Sequence, residues 1–156
     1  MLEFKVVSFM LGSEDFGIDI MKIDSIVEFG KIIRVPESAD YVEGIMNIRG
    51  KVVPIINLRK KFYMEDIDEE QKKKAKVIVV NIDNRQVGLL VDDVKEVLTI
   101  NQNQLEEPPS EIGGVGKGYV FGIAKLEDTM MIILDIDKIL SAEEKLELGK
   151  IMDNVS

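Results

Sequence analysis

The feature that most limits what this chain can become is that it repeats itself. Shifted by 78 residues, Tyr41-Val42-x-Gly44-Ile45 falls on Tyr119-Val120-x-Gly122-Ile123, and the match runs on without a gap. Val52-Val53 meets Met130-Met131, Ile55-Ile56 meets Ile133-Leu134, Asn57-Leu58 meets Asp135-Ile136, and Lys60 meets Lys138. Six identities over these 22 positions (41–62 against 119–140) exceed the roughly one or two that average residue usage supplies. Earlier in each half the offset is 71: Val7-x-Phe9-x-Leu11 lies over Ile78-x-Val80-x-Ile82, Gly17 over Gly88, and Ile23-x-x-Ile26 over Val94-x-x-Val97. The offset changes after Pro36 in the first copy and Pro108-Pro109 in the second, where the extra residues are IGGVGKG, Ile112 to Gly118. Outside the 41–62 window the likeness is one of pattern, not identity. Self-similarity of this kind governs the whole fold assignment.

Each copy reads the same way. An alternating strand (Lys5 to Leu11; Lys76 to Ile82) meets a polar turn, GSED or DNRQ, and returns as a second strand. A segment with i, i+3 apolar spacing follows (Ile20, Ile23, Ile26; Val91, Val94, Val97), and fits a helical turn or a bent strand equally. After a Pro-containing loop come two tightly joined strands, 42–48 and 51–56, then 120–126 and 129–134. Short helices, Leu58 to Phe62 and Ile136 to Leu140, close the copies. Two five-strand copies imply two small antiparallel β-barrels, since closure is how short strands avoid open edges. The copies span about 3–66 and 75–140 within one 3–140 domain, with strand exchange between them left open. Ser141 with Glu144 spells a capping box, which predicts a C-terminal helix from about Ala142 in the tail 141–156. Its apolar face is thin (Leu146, Leu148, Ile151, Met152) and Gly149 weakens it, so it frays unless docked.

Composition excludes much. With no histidine and no cysteine among 156 residues, the usual zinc sites, thiol nucleophiles and Ser-His-Asp triads are ruled out. A net charge of -9 disfavours nucleic acid as a partner. No apolar run reaches the ~20 residues that span a bilayer, so no membrane insertion is expected, and the absence of cysteine suits a cytoplasmic protein. Neither metal nor cofactor is called for, and a non-enzyme is expected.

Several motifs have a plain reading. GGVGKG puts Gly113 and Gly118 at P-loop spacing, but Tyr119 and Val120 stand where Lys and Ser/Thr belong. Asp92-Asp93 would point to opposite strand faces, and Asp135, like Asn57, suits the cap of a short helix. Lys72 to Lys74 after MEDIDEEQ read as a solvated surface loop joining the copies. The eight methionines read as core filler.

NIRG is different. Asn47-Ile48 ends one strand and Lys51-Val52 begins the next, leaving Arg49-Gly50 as the turn. Glycine suits the positive φ of tight hairpins. Any polar residue would serve at 49, and Glu127-Asp128 occupies the matching turn of the second copy. A charge difference at matched tips suits a site on one half only, and arginine favours interface centres.

FGIDIMKIDSIVEF and VEGIMNIRGKVVPIINLRKKF (Phe16 to Phe62), with GLLVDDVKEVLTI and MMIILDIDKIL, resemble the bacterial chemotaxis coupling proteins of the CheW family. The likeness covers about residues 3 to 140, with Ile48 where leucine is commoner and Asn57 where aspartate is. It implies a mainly β fold of two SH3-like five-stranded antiparallel β-barrels. It also implies a non-catalytic adaptor joining the cytoplasmic tip of methyl-accepting chemoreceptors to the regulatory domain of the histidine kinase CheA, in membrane-associated arrays. Carried over by motif, receptor-binding residues would be Ile23, Ser25, Gly44 and Arg49, with Asn47 and Gly50 added by adjacency. The competing readings are a small-ligand-binding or sensory β-barrel module and a paralogous adaptor of another receptor array.

Overall fold

A computed structural model describes residues 3–107 and 118–155. In chain order these form β1 (Glu3–Leu11), β2 (Glu14–Asp19), β3 (Ile23–Glu28), β4 (Val42–Ile48), β5 (Lys51–Asn57), α1 (Leu58–Lys61) and α2 (Glu69–Lys72). There follow β6 (Lys76–Ile82), β7 (Arg85–Val91), β8 (Asp93–Asn101), β9 (Leu105–Glu106), β10 (Val120–Lys125), β11 (Met130–Leu134) and α3 (Ala142–Val155). The ambiguous segment after β2 resolves into both alternatives: a 3-10 turn at Ile20–Lys22, capped by Asp19, runs into strand β3. The P-loop-like stretch before Gly118 lies outside the described residues.

Two sheets carry the fold. The strand orders are β8-β1-β2-β11-β10-β9 and β3-β6-β7-β5-β4. Under the repeat offsets, β1 to β5 correspond to β6, β7, β8, β10 and β11, and the two orders then become the same order. The copies have therefore exchanged hairpins: β1–β2 lies among strands of the second copy, and β6–β7 among strands of the first. Two glycines show the equivalence in atomic detail. A Cβ on Gly17 would lie 2.6 Å from Met131 Sδ, 3.0 Å from Ile133 Cδ1 and 3.3 Å from Val6 Cγ2. One on Gly88 would lie 2.5 Å from Ile55 Cδ1 and 2.7 Å from Val77 Cγ1. Val6 and Val77, like Ile55 and Ile133, are repeat partners, so each glycine admits the same pair of side chains.

The fold is mainly β, in two sheets of repeated order with a C-terminal helix, as expected, and differs from two closed antiparallel barrels in two details. The sheets are mixed, because β2 pairs with β11 and β5 with β7 in parallel. They also do not close: β3 and β4 remain the edges of the five-stranded sheet. The loop between them supplies a partial cover instead. Ile33 and Ile45 exchange both backbone hydrogen bonds, 3.0 and 2.8 Å, in a single bridge that protects part of the β4 edge. In the six-stranded sheet, β9 takes the matching place beside β10.

The largest core lies between the sheets, where Phe9, Leu11, Phe16 and Ile18 meet Ile78, Val80, Ile82 and Leu89. Smaller cores belong to one sheet each, around Val53, Ile55 and Val77 and around Met131, Ile133 and Val6. Met46 and Met131 fill cores as expected, whereas Met21 and Met130 are exposed. The tail helix has its predicted start: the Ser141 N–H donates to Glu144 Oε1 at 2.8 Å and the Glu144 N–H to Ser141 Oγ at 3.1 Å. It is docked by buried Leu148 and by ion pairs from Glu144 to Lys61 (2.9 Å) and from Lys145 to Asp83 (3.0 Å).

Candidate functional site

The Arg49-Gly50 turn is a two-residue hairpin loop between paired Ile48 and Lys51. Both its residues have positive φ, 54° at Arg49 and 84° at Gly50, the type I′ arrangement. The Gly50 N–H donates to Asn47 Oδ1 at 2.9 Å, which locks the turn from the strand side. Glycine is at home there. Arginine is not: the left-handed region disfavours a residue with a Cβ. In the matching turn of the second copy the Leu126 N–H bonds Thr129 O at 2.8 Å, and neither Glu127 nor Asp128 has positive φ. The aligned loop of the second copy, four residues between β10 and β11, thus carries no such strain, and the copy with the strained two-residue turn holds the arginine.

Arg49 is exposed and has no ion pair or hydrogen bond through its side chain among the described residues. It lies at the mouth of a cleft of ≈ 480 Å³ between the end of β3 and β4, with Val27, Glu28, Lys31, Ile33, Met46 and Asn47 among its walls. Glu28 is already shared with Lys76 at 3.4 Å. The cleft is the gap left by the unclosed sheet.

The six expected residues, four by motif and two by adjacency, are distributed unequally around it. Asn47 and Arg49 line the cleft; Ile23, Ser25, Gly44 and Gly50 do not. Ile23 and Ser25 stand half-buried at the start of β3, on either side of a register shift against β6. Gly50 is open, with nothing within 4 Å of a Cβ. Gly44 is buried, has φ 150°, and a Cβ there would come 2.3 Å from Ile33 O and 2.8 Å from Ile32 Cγ1. Its part is structural: it lets the 32–33 segment cross β4 and form one wall of the cleft.

Behind β4 lies a network that sequence reading missed. Glu43, 5% exposed, accepts from Lys72 Nζ at 2.9 Å and from Asn57 Nδ2 at 3.1 Å. Asp66 takes the same lysine at 3.3 Å and the other Asn57 amide hydrogen at 3.0 Å, while Asn57 Oδ1 caps α1 through the Lys60 N–H. Lys72 is 8% exposed, not solvated, because an Asp68–Gln71 capping box turns the acidic–basic linker into α2 and aims Lys72 inward. Burial would lower the Lys72 pKa, but the hydrogen bonds and charges of Glu43 and Asp66 outweigh it and raise the pKa above the ordinary lysine value. For Asp66 burial pushes upward, and Asn57, the Ile67 N–H and Lys72 together pull the pKa below the ordinary carboxylate value. The available signal was Glu43 itself, an acid inside the apolar run VEGI where the second copy has Phe121.

Asp92 and Asp135, given a structural reading from the sequence, are engaged in structure. Asp92 pairs with Arg59, whose Nε donates at 2.8 Å, and also accepts from the Gly12 N–H at 2.8 Å. Asp135 caps the 3-10 turn Ile136–Lys138, which replaces the expected second short helix. A tertiary surface with an arginine unpaired among the described residues, beside a cleft with apolar walls, is suited to holding a partner.

Comparison with known proteins agrees. The family model described as the CheW-like domain matches residues 5–144. The chemotaxis protein CheW of Treponema pallidum is 32% identical over 151 residues, covering 96% of this chain and 89% of that protein. The Klebsiella aerogenes CheW is 36% identical over 148 residues, with 95% and 86% covered. Among solved structures, the scaffolding protein TtCheW from Thermoanaerobacter tengcongensis superposes with a TM-score of 0.81 at 34% identity, covering 92% of this chain and 96% of that one. The duplicated strand order, the NIRG turn and this agreement across nearly the whole length place the chain in the CheW-like domain family.

Proposed function

We propose that this chain is a non-catalytic chemotaxis adaptor that couples methyl-accepting chemoreceptors to the histidine kinase CheA. The observation that carries the reading is Arg49, an unpaired cation on a strained turn that the fold alone does not require. Strained backbone clusters at binding and switch sites, held there by the surrounding structure. In this reading Arg49 and Asn47 meet the receptor tip directly, and Ile23 and Ser25 extend the contact along β3. Gly44 and Gly50 act through the backbone, one by admitting the 32–33 wall and the other by closing the turn. A helical hairpin offers apolar side chains to the cleft, while arginine fixes its register through carboxylates or carbonyls. Residues 3–140 serve as the adaptor unit and 141–156 as its helical tail. The protein works in the cytoplasm, recruited to receptor arrays, and performs no reaction of its own.

The test is capture by a receptor cytoplasmic fragment, with co-elution of the kinase regulatory domain measured in parallel. Arg49→Asp should weaken receptor capture by at least about tenfold, as loss of an interface-centre arginine does. Kinase co-elution should persist, which shows the fold intact. Unchanged receptor capture by the folded variant would sink the site assignment.

A further inference from the structure

The β4 edge beside the NIRG turn has a counterpart in the second copy, and the two edges carry different chemistry. In the first copy the residue bridged to Ile45 is Ile33. In the second, Glu106 of β9 stands opposite Ile123, the repeat partner of Ile45. The glycines beside them repeat the likeness: a Cβ on Gly44 would lie 2.3 Å from Ile33 O, and one on Gly122 3.1 Å from Glu106 O. Two positions further along β4, Asn47 corresponds to Lys125 of β10. Glu106 and Lys125 are both exposed and form an ion pair at 2.9 Å. Charged side chains of this kind keep an edge in water and discourage a further partner. The first copy has neither charge. Ile33 is 60% exposed in place of the glutamate, and exposed Asn47, in place of the lysine, accepts from the Gly50 N–H.

A single exposed isoleucine is ordinary on a loose loop. Ile33 is not on one. Its N–H donates to Ile45 O at 3.0 Å, and its carbonyl accepts from the Ile45 N–H at 2.8 Å, so its backbone is fastened to the sheet. Ile33 stands in the wall of the cleft whose mouth holds Arg49, together with half-buried Val27. Fixing a side chain on rigid backbone before binding removes part of the ordering cost of using it. An apolar residue beside an arginine, with the charged pair of the other copy gone, is the composition of an interface core and not of a rim.

We propose that Ile33 is the apolar anchor of the receptor-binding surface. It takes an aliphatic side chain from one helix of the receptor tip, while Arg49 takes a carboxylate or carbonyl of the same helix. This rests on the receptor reading of the Arg49 turn. It makes Ile33 a specificity-determining residue, selecting a helix face that carries an apolar side chain next to an acceptor. The matching edge of the second copy, finished by Glu106 and Lys125, takes no part.

The test is capture of a receptor cytoplasmic fragment by the full-length chain, in low and in high salt, with kinase co-elution followed alongside. Ile33→Ala should weaken capture on the order of tenfold, the scale of an aliphatic side chain left unburied. Ile33→Leu should keep capture within about twofold, as volume-conserving changes do. Ile33→Glu should lose more than Ile33→Ala. The loss at Ile33 should persist in high salt, whereas the loss from Arg49→Asp should shrink as salt screens charge. Glu106→Ala should leave capture unchanged. Full capture by Ile33→Ala would overturn the anchor, and if Arg49→Asp were still weakened the receptor reading would stand without it. Full capture by both variants would remove the two together. Loss of kinase co-elution in step with receptor capture would also overturn the proposal, because Ile33 would then be supporting the fold.

Discussion

The two copies share a strand order and differ at their hairpin tips. At the level of backbone they correspond closely: the Asn57 N–H bonds Tyr41 O at 2.7 Å, and the Asp135 N–H bonds Tyr119 O at 2.8 Å. Asn57 and Asp135 each then cap a short helical turn. The side chains diverge where β4 and β10 face outward or back. Glu43 is buried in an ionic network, whereas its counterpart Phe121 is 57% exposed and lies edge-on to Phe4, 6.1 Å between ring centres. Arg49 occupies a positive-φ turn; Glu127 and Asp128 do not. Gly44 excludes any side chain by 2.3 Å against a backbone carbonyl, while Gly122 meets Glu106 O at a milder 3.1 Å. The copies thus match in the groups that set strand pairing and differ in the side chains at one tip, where the proposed partner site lies.

The sharpest break in the comparison is the network that only the first copy has. Glu43→Ala should destabilise the fold by about 3–5 kcal/mol, because it strands Lys72 in a buried position with Asp66 as its remaining charge partner. Phe121→Ala, at the matching but exposed position, should change stability far less. Urea unfolding of both variants measures the contrast, and equal losses would mean that the network adds nothing.

Where the copies are alike, variants should be alike. Ile55 and Ile133 are both fully buried repeat partners beside an excluding glycine, and Ile55→Ala and Ile133→Ala should each cost about 2–5 kcal/mol. A large difference between them would show that one sheet dominates the stability of the whole.

Acid should distinguish the copies next. Asp66 has a folded-state pKa held below its ordinary value, so its stabilisation is present at neutral pH and is lost as pH falls through and below the ordinary carboxylate range. Glu144 behaves likewise: burial pushes its pKa up, but the Ser141 N–H, Lys61 and Tyr41 pull it below the ordinary value. Melting temperature should therefore fall on acidification. Asp66→Asn should flatten that dependence. Lys72 has the opposite sign: its raised pKa gives stability that is present below the ordinary lysine range and lost only in strong alkali.

The smallest effect runs towards stability. Arg49→Gly relieves a left-handed residue, and should raise stability by about 0.5–1 kcal/mol. Glu127→Gly, where φ is not positive, should lower it slightly through added chain entropy. A gain in folding with a loss of receptor capture at 49 would identify the strain as serving a partner.

The repeat made much of the fold legible. The strand at 76–82 followed from alternation, those at 42–48 and 51–56 from two apolar runs joined by a tight turn, and the capping box at Ser141 and Glu144 from spacing, because all are local patterns. The site was legible in part. Arg49 stood out by comparison with Glu127-Asp128, but its positive φ did not, since a one-letter sequence carries no record of backbone strain. Lys72 misled for a related reason. A run of acids and lysines looks solvated in any local window, and its buried partner Glu43 lies 29 residues away.

By itself the sequence determined that there are two copies, where four strands of each lie, and which residues differ at their tips. These rest on local periodicity and on identity between aligned positions. The tertiary structure alone decided that the copies exchange hairpins, that their sheets stay open, and that Glu43, Asp66 and Lys72 share one buried site. Those outcomes depend on pairing between distant segments, where a hairpin can satisfy its edge hydrogen bonds against either copy. Only side-chain packing, such as Gly17 against Ile133 and Gly88 against Ile55, selects between them.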